Sequence, residues 1–111
     1  MSEPSEALAF LNSVAALATR LAADDIAVYA LSYQSRGFGS WEIEAGRRRA
    51  RIRVTWEGKD RYLRVSTAQV PSGSAAREWQ LAEEHDFRDR RVEVRQILGT
   101  AYAAIAAHGG A

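Results

Sequence analysis

Apolar and polar positions alternate with period two from Ala50 to Glu57. Ala50, Ile52, Val54 and Trp56 point one way, and Arg51, Arg53, Thr55 and Glu57 the other. This is the pattern of a half-buried strand with a basic solvent face. Residues 57–60 read as a tight turn, and residues 61–67 alternate again, so the two runs predict a hairpin that returns Leu63 and Val65 to the apolar side. Upstream, Trp41, Ile43 and Ala45 alternate with Glu42 and Glu44 and are expected to point inward. Gly46 is a turn or a bulge, so residues 41–57 form two strands or one strand bent at Gly46. Residues 26–34 are rich in β-formers and apolar on both alternations, which predicts a strand that is interior or covered on its second face.

Helical spacing brackets these strands. Phe10, Val14, Leu17 and Leu21 recur four, three and four residues apart, with Leu11 and Ala18 beside them, and predict an amphipathic helix over residues 5–23. Ser2 or Ser5 caps it, Glu3 and Glu6 suit its positive end, Pro4 fits its first turn, and Asp24-Asp25 ends it. Val94, Ile97, Leu98, Ala101, Tyr102 and Ile105 form the stripe of a second helix, with Asp86 as cap, Asp89 completing an approximate capping box and Gly109-Gly110 as the stop. Residues 70–74 read as a loop. Residues 75–84 read as a helix, although Trp79 and Leu81 also suit a short strand.

The expected fold is therefore one α+β domain over residues 1–111. It has an N-terminal helix, a three- to four-stranded antiparallel sheet and one or two C-terminal helices, with the helices on one face. The other face would show Tyr29 or Val28 with Glu42, Glu44, Arg51, Arg53, Tyr62 and Arg64.

Composition adds three constraints. The absence of cysteine excludes disulfides, thiolate catalysis and cysteine-ligated zinc. No apolar run is long enough to span a bilayer and the N-terminus is acidic, which favours a cytoplasmic protein without a membrane partner. The net charge of +1 is unevenly spread: residues 47–64 hold eight basic and two acidic groups, +6, leaving −5 elsewhere. Lys59 is the single lysine among fifteen basic residues, and with the abundance of alanine this matches a GC-rich, bacterial genome.

The basic hairpin is the leading candidate for chemistry. Arg47, Arg49, Arg51, Arg53 and Arg64, with Tyr62, combine guanidinium forks that suit phosphate with planes that stack on bases. Helix, three strands, helix is also the element order of double-stranded-RNA-binding domains. Those domains open the second helix with lysines, whereas residues 72–78 here carry one arginine and no lysine, and the family is not assigned. The run Arg47-Arg48-Arg49-Ala50-Arg51 also has the form of a nuclear-localisation or heparin-type cluster. The run Glu83-Glu84-His85-Asp86, read as helical, spreads its side chains around the axis and leaves His85 with Asp89 alone on one face, too few ligands for a metal. His108 suits the negative end of its helix. Glu42 and Glu44 are placed for cross-strand ion pairs with Arg51 and Arg53. Trp41 and Trp56 belong to the core, and Trp79, if exposed, marks a binding surface.

No Gly-rich phosphate loop and no nucleophile with a patterned histidine partner is present, and no cofactor is implied. The expectation is a non-enzymatic binding or adaptor protein that acts through its sheet on a protein partner or a second copy. Nucleic-acid binding through residues 47–64 is the alternative, and a small enzyme without a recognisable motif is a third.

Overall fold

The computed structural model describes residues 3–34, 39–70, 78–88 and 94–109, with side-chain environments over 8–34, 39–70, 78–88 and 96–108. Helix α1 (Glu3–Ala23) is followed by strands β1 (Ala27–Gln34), β2 (Ser40–Gly46), β3 (Ala50–Glu57), β4 (Tyr62–Gln69) and β5 (Gln80–Asp86), then helix α2 (Val94–Gly109). The strands pair antiparallel in chain order, β1-β2-β3-β4-β5, and both helices pack on one face.

The fold class is as expected, with one strand more. Residues 80–84 are not helical: they belong to β5, which pairs with β4 from Tyr62↔Asp86 to Thr67↔Gln80. Helical propensity lost because the edge of β4 offers a ladder of backbone partners, a term that propensity does not contain. Asp86 accordingly ends β5 and does not cap α2, whose described part begins at Val94. Asp89, residues 75–77 and most of the 70–74 loop lie outside the described residues.

The turn at the end of α1 shows how local chemistry sets the layout. Asp25 takes φ 62°, the Ile26 N–H donates to the Leu21 carbonyl at 2.9 Å, and the Asp25 N–H donates to the Ala22 carbonyl at 3.0 Å. This is the Schellman arrangement, with Leu21 and Ile26 both buried beneath it. The chain therefore reverses at once, and β1 runs antiparallel to the helix above it. At the other hairpin, a Cβ on Gly46 would meet the Ala50 carbonyl oxygen at 2.0 Å. Glycine lets the backbone fold back there, so residues 41–57 are two strands, with Trp41↔Trp56 and Ile43↔Val54 in register.

The core lies between the sheet and the helices. Phe10, Val14, Leu17 and Leu21 from α1 and Ile97, Leu98, Ala101 and Ile105 from α2 close over Trp41, Ile43, Ile52, Val54, Trp56, Leu63 and Val65. Phe10 stacks on Tyr33 at 4.8 Å between centroids and tilts against Trp41 at 5.6 Å. Among the described residues, no helix is long and apolar enough to cross a membrane.

Candidate functional site

The helix-free face of the sheet collects four of the six residues singled out in the sequence. Arg51, Arg53, Arg64 and Tyr62 lie on it through the registers Arg53↔Ser66, Thr55↔Arg64 and Glu57↔Tyr62. Arg47 and Arg49 are in the β2–β3 connection instead. Arg47 donates from Nη1 to the Asp24 carbonyl at 3.3 Å, toward the end of α1, and Arg49 is exposed at the turn.

Each arginine of the open face is already engaged. Arg51 donates from Nη1 to the carbonyls of Arg48 and Ala50 at 2.8 and 2.9 Å, and its guanidinium lies 3.9 Å from the centre of the Tyr29 ring. Arg53 lies 4.0 Å from the Trp79 ring, with Glu42 and Glu44 carboxylates at 3.9 and 3.8 Å. Arg64 donates from Nε to Glu84 at 3.0 Å and stacks on Tyr62 at 4.6 Å. That hydrogen bond to Glu84 raises the Arg64 pKa further, although the group is exposed. The expected Arg53 ion pairs are present, whereas Arg51 uses backbone and ring. Trp79 is half-buried because it lies over the sheet on Arg53.

At one end of this face is a hollow of about 450 Å³, bounded by Ser32, Ser40, Glu42, Thr55 and Lys59 together with Trp41 and Trp56. Thr55 donates to Glu42 Oε1 at 3.2 Å, and the Gly58 N–H donates to Ser40 Oγ at 2.9 Å. Neither histidine is among its lining residues.

The histidines converge elsewhere. Because β5 is a strand, Glu83 and His85 share the helix-side face, and α2 brings in His108. The Glu83 carboxylate accepts from His85 Nε2 at 2.9 Å and from His108 Nε2 at 2.6 Å. The His85 bond and then the His108 bond hold its carboxyl below the usual range, against the opposing effect of burial. Asp86 is likewise lowered by hydrogen bonds from the Arg88 side chain and backbone. Among the described residues, no group of three or more His, Asp or Glu side chains is arranged to hold a metal ion.

Comparison with family models, characterised proteins and solved structures finds no match.

The most distinctive surface is one that residue motifs did not mark. Strand β1 reads AVYALSYQ, eight residues without a charge, in a chain of which 26% is charged. It is not interior: it forms one edge of the sheet, and six of its eight residues are exposed. Its second face is not covered among the described residues, which is why its double apolar alternation failed to indicate burial. A bulge between Val28 and Ala30 turns Tyr29, 50% exposed, toward Arg51 on the open face, while Leu31, 41% exposed, lies on the helix side opposite Ile43. Leu8 and Leu11 of α1 are exposed at 61% and 50%. Four of the five large exposed hydrophobics among the described residues thus belong to β1 or the helix above it. Lysine, proline and inward charge are missing from β1, and of the usual guards of an edge strand it carries only the bulge at Tyr29, which leaves Ala30 to Gln34 regular. The opposite edge, QLAEEHD, is charged, and its one large exposed hydrophobic is Leu81.

Proposed function

We propose that this is a non-enzymatic binding protein that works through its sheet, and that the β1 edge is the working surface. The observation that carries this reading is the uncharged edge strand, regular beyond its bulge, with exposed Tyr29, Leu31, Leu8 and Leu11 on it and above it. Such an edge binds by strand addition: backbone groups supply affinity and the alternating side chains supply selectivity. The open face supports the edge by contrast, because its arginines already lie against carboxylates, backbone carbonyls or aromatic rings, although Arg53 Nε is buried without a hydrogen-bond partner.

The alternative is phosphate-backbone binding by Arg47, Arg49, Arg51, Arg53 and Arg64 with Tyr62. It draws support from the three arginine–ring stacks, a form suited to nucleic acid. It requires phosphate to displace carboxylates from Arg53 and Arg64, and this weighs toward the edge.

A Thr/Val-rich decapeptide, titrated against protein dilute enough to leave β1 open, tests the first reading. Binding is expected to vary little with salt, to disappear in Leu31→Lys and to persist in Arg51→Ala/Arg53→Ala. Titration with short duplex RNA and DNA tests the second. Binding at physiological salt that falls steeply as salt rises, and weakens in the arginine variant, would transfer the function to the hairpin.

A further inference from the structure

We infer that the occupant of the β1 edge is a second copy of this chain, joined antiparallel β1 to β1 with α1 beside α1. This rests on the edge reading above and names its partner.

The argument starts from α1. At 100° per residue, Phe10, Val14, Leu17 and Leu21 face the core, and Ser13, Ala16 and Arg20 face α2, where they border a hollow with Leu98, Gly99 and Tyr102. The side turned away from α2, toward the free border of β1, is Leu8, Leu11, Ala15, Ala18 and Ala22. That stripe carries no charge and, apart from partly buried Ala18, is exposed. One border of the molecule is therefore apolar through both layers, strand below and helix above.

This double border selects the partner. An extended peptide would cover the strand and leave the helix stripe wet. A second copy related by a two-fold axis normal to the sheet covers both. It sets β1 antiparallel to β1 in one continuous sheet and α1 antiparallel to α1 on the same face. The alanines of the stripe let the two helices approach closely. Because β1 and the stripe are uncharged, identical surfaces meet without repulsion, whereas two copies joined through β5 would crowd the Glu83, Glu84 and Asp86 carboxylates of both into one seam. Such a contact is isologous and closed, the commonest symmetry of soluble oligomers. The bulge at Tyr29 confines regular pairing to the five residues from Ala30 to Gln34, which places the axis near Ser32. Regular pairing spans about 17 Å and the stripe from Leu8 to Ala22 about 21 Å, so a border about 20 Å long and about 20 Å deep gives about 800 Å² in total over both copies, the size of a weak, concentration-dependent dimer.

Sedimentation over a range of concentrations decides the matter. The wild-type chain is expected to reach twice its 12.3 kDa mass. Leu31→Lys on the strand and Ala15→Glu on the stripe are both exposed substitutions, and each is expected to give a folded monomer by circular dichroism. Leu81→Lys, on the opposite edge, is expected to remain dimeric. Because the chain has no cysteine, single cysteines report the axis: Ser32→Cys is expected to cross-link two copies on oxidation, whereas Ala30→Cys and Gln34→Cys, which the axis sets opposite each other and not opposite themselves, are not. A wild-type chain that stays monomeric at every concentration yet binds the decapeptide through Leu31 overturns the dimer and leaves the edge reading standing. A monomer that binds no decapeptide overturns both. A dimer that survives Leu31→Lys or Ala15→Glu, or is lost in Leu81→Lys, overturns the assignment to β1 and α1.

Discussion

His108 Nε2 lies 2.6 Å from Glu83 Oε2, tying the last turn of α2 to the β5 edge of the sheet. His85 occupies the other carboxylate oxygen, so one acid joins two histidines from a strand and a helix. The folded-state pKa of Glu83 is depressed. Its contribution is therefore complete above the unfolded value of about 4.3, and is lost as pH falls through the lower folded value. In urea unfolding at pH 7, Glu83→Gln is expected to be less stable than wild type by about 0.5–1 kcal/mol, reduced for partial exposure. The gap should close as the pH falls past the unfolded value and through the lower folded one. A gap that stays constant over the whole acid titration would show that the carboxylate charge is not what matters.

Two glycines are expected to respond oppositely to alanine. At Gly46 the new Cβ would run into backbone, with the Ala50 carbonyl oxygen at 2.0 Å and the Arg51 Cα at 3.2 Å. Gly46→Ala should lose about 2–3 kcal/mol as the β2–β3 hairpin shifts. At Gly99, in α2, a Cβ meets nothing within 4 Å, so Gly99→Ala should gain about 0.5–1 kcal/mol. Chemical denaturation of both variants gives the two signs.

Phe10 fastens α1 to the sheet through Tyr33 and Trp41 and is fully buried. Phe10→Ala is expected to cost about 3–5 kcal/mol through lost transfer energy and a residual cavity. Small domains hold about 5–15 kcal/mol in all, so the variant should melt far below wild type and lose near-ultraviolet dichroism from the Tyr33 and Trp41 environment.

Arg53 fills the space between Trp79 and the carboxylates of Glu42 and Glu44. Arg53→Ala should uncover Trp79, shifting fluorescence to longer wavelength and increasing iodide quenching, while buried Trp41 and Trp56 keep their environments. The stability loss is expected to stay within about 1 kcal/mol, since the stack and the ion pairs are partly solvated. Unchanged emission and quenching would remove the stack from the account of this face.

How far the sequence reached depended on whether a residue's fate is decided by its neighbours in the chain. Alternation from Trp41 to Ala45, from Ala50 to Glu57 and from Leu63 to Val65 identified the inward side chains, because the pleat obliges successive residues to opposite faces. The spacing of Phe10, Val14, Leu17 and Leu21 identified the buried side of α1 for the corresponding reason in a helix. The arginines and their number were equally plain, and so was the lack of charge in β1.

Their partners were not. Residues 80–86 carry a pattern that suits either helix or strand, and only the free edge of β4 made them β5. That choice put Glu83 and His85 on one face and let His108, 25 residues farther on, close the triad. It also left Trp79 over Arg53, 26 residues away in sequence. Whether an apolar strand lies inside the sheet or at its edge is likewise a matter of strand order. The sequence by itself determined which residues of β1 are apolar and uncharged; the tertiary structure decided that they border the molecule. The physical reason is that periodicity is a property of the local backbone, whereas burial, ion pairing and exposure depend on what long-range pairing brings alongside.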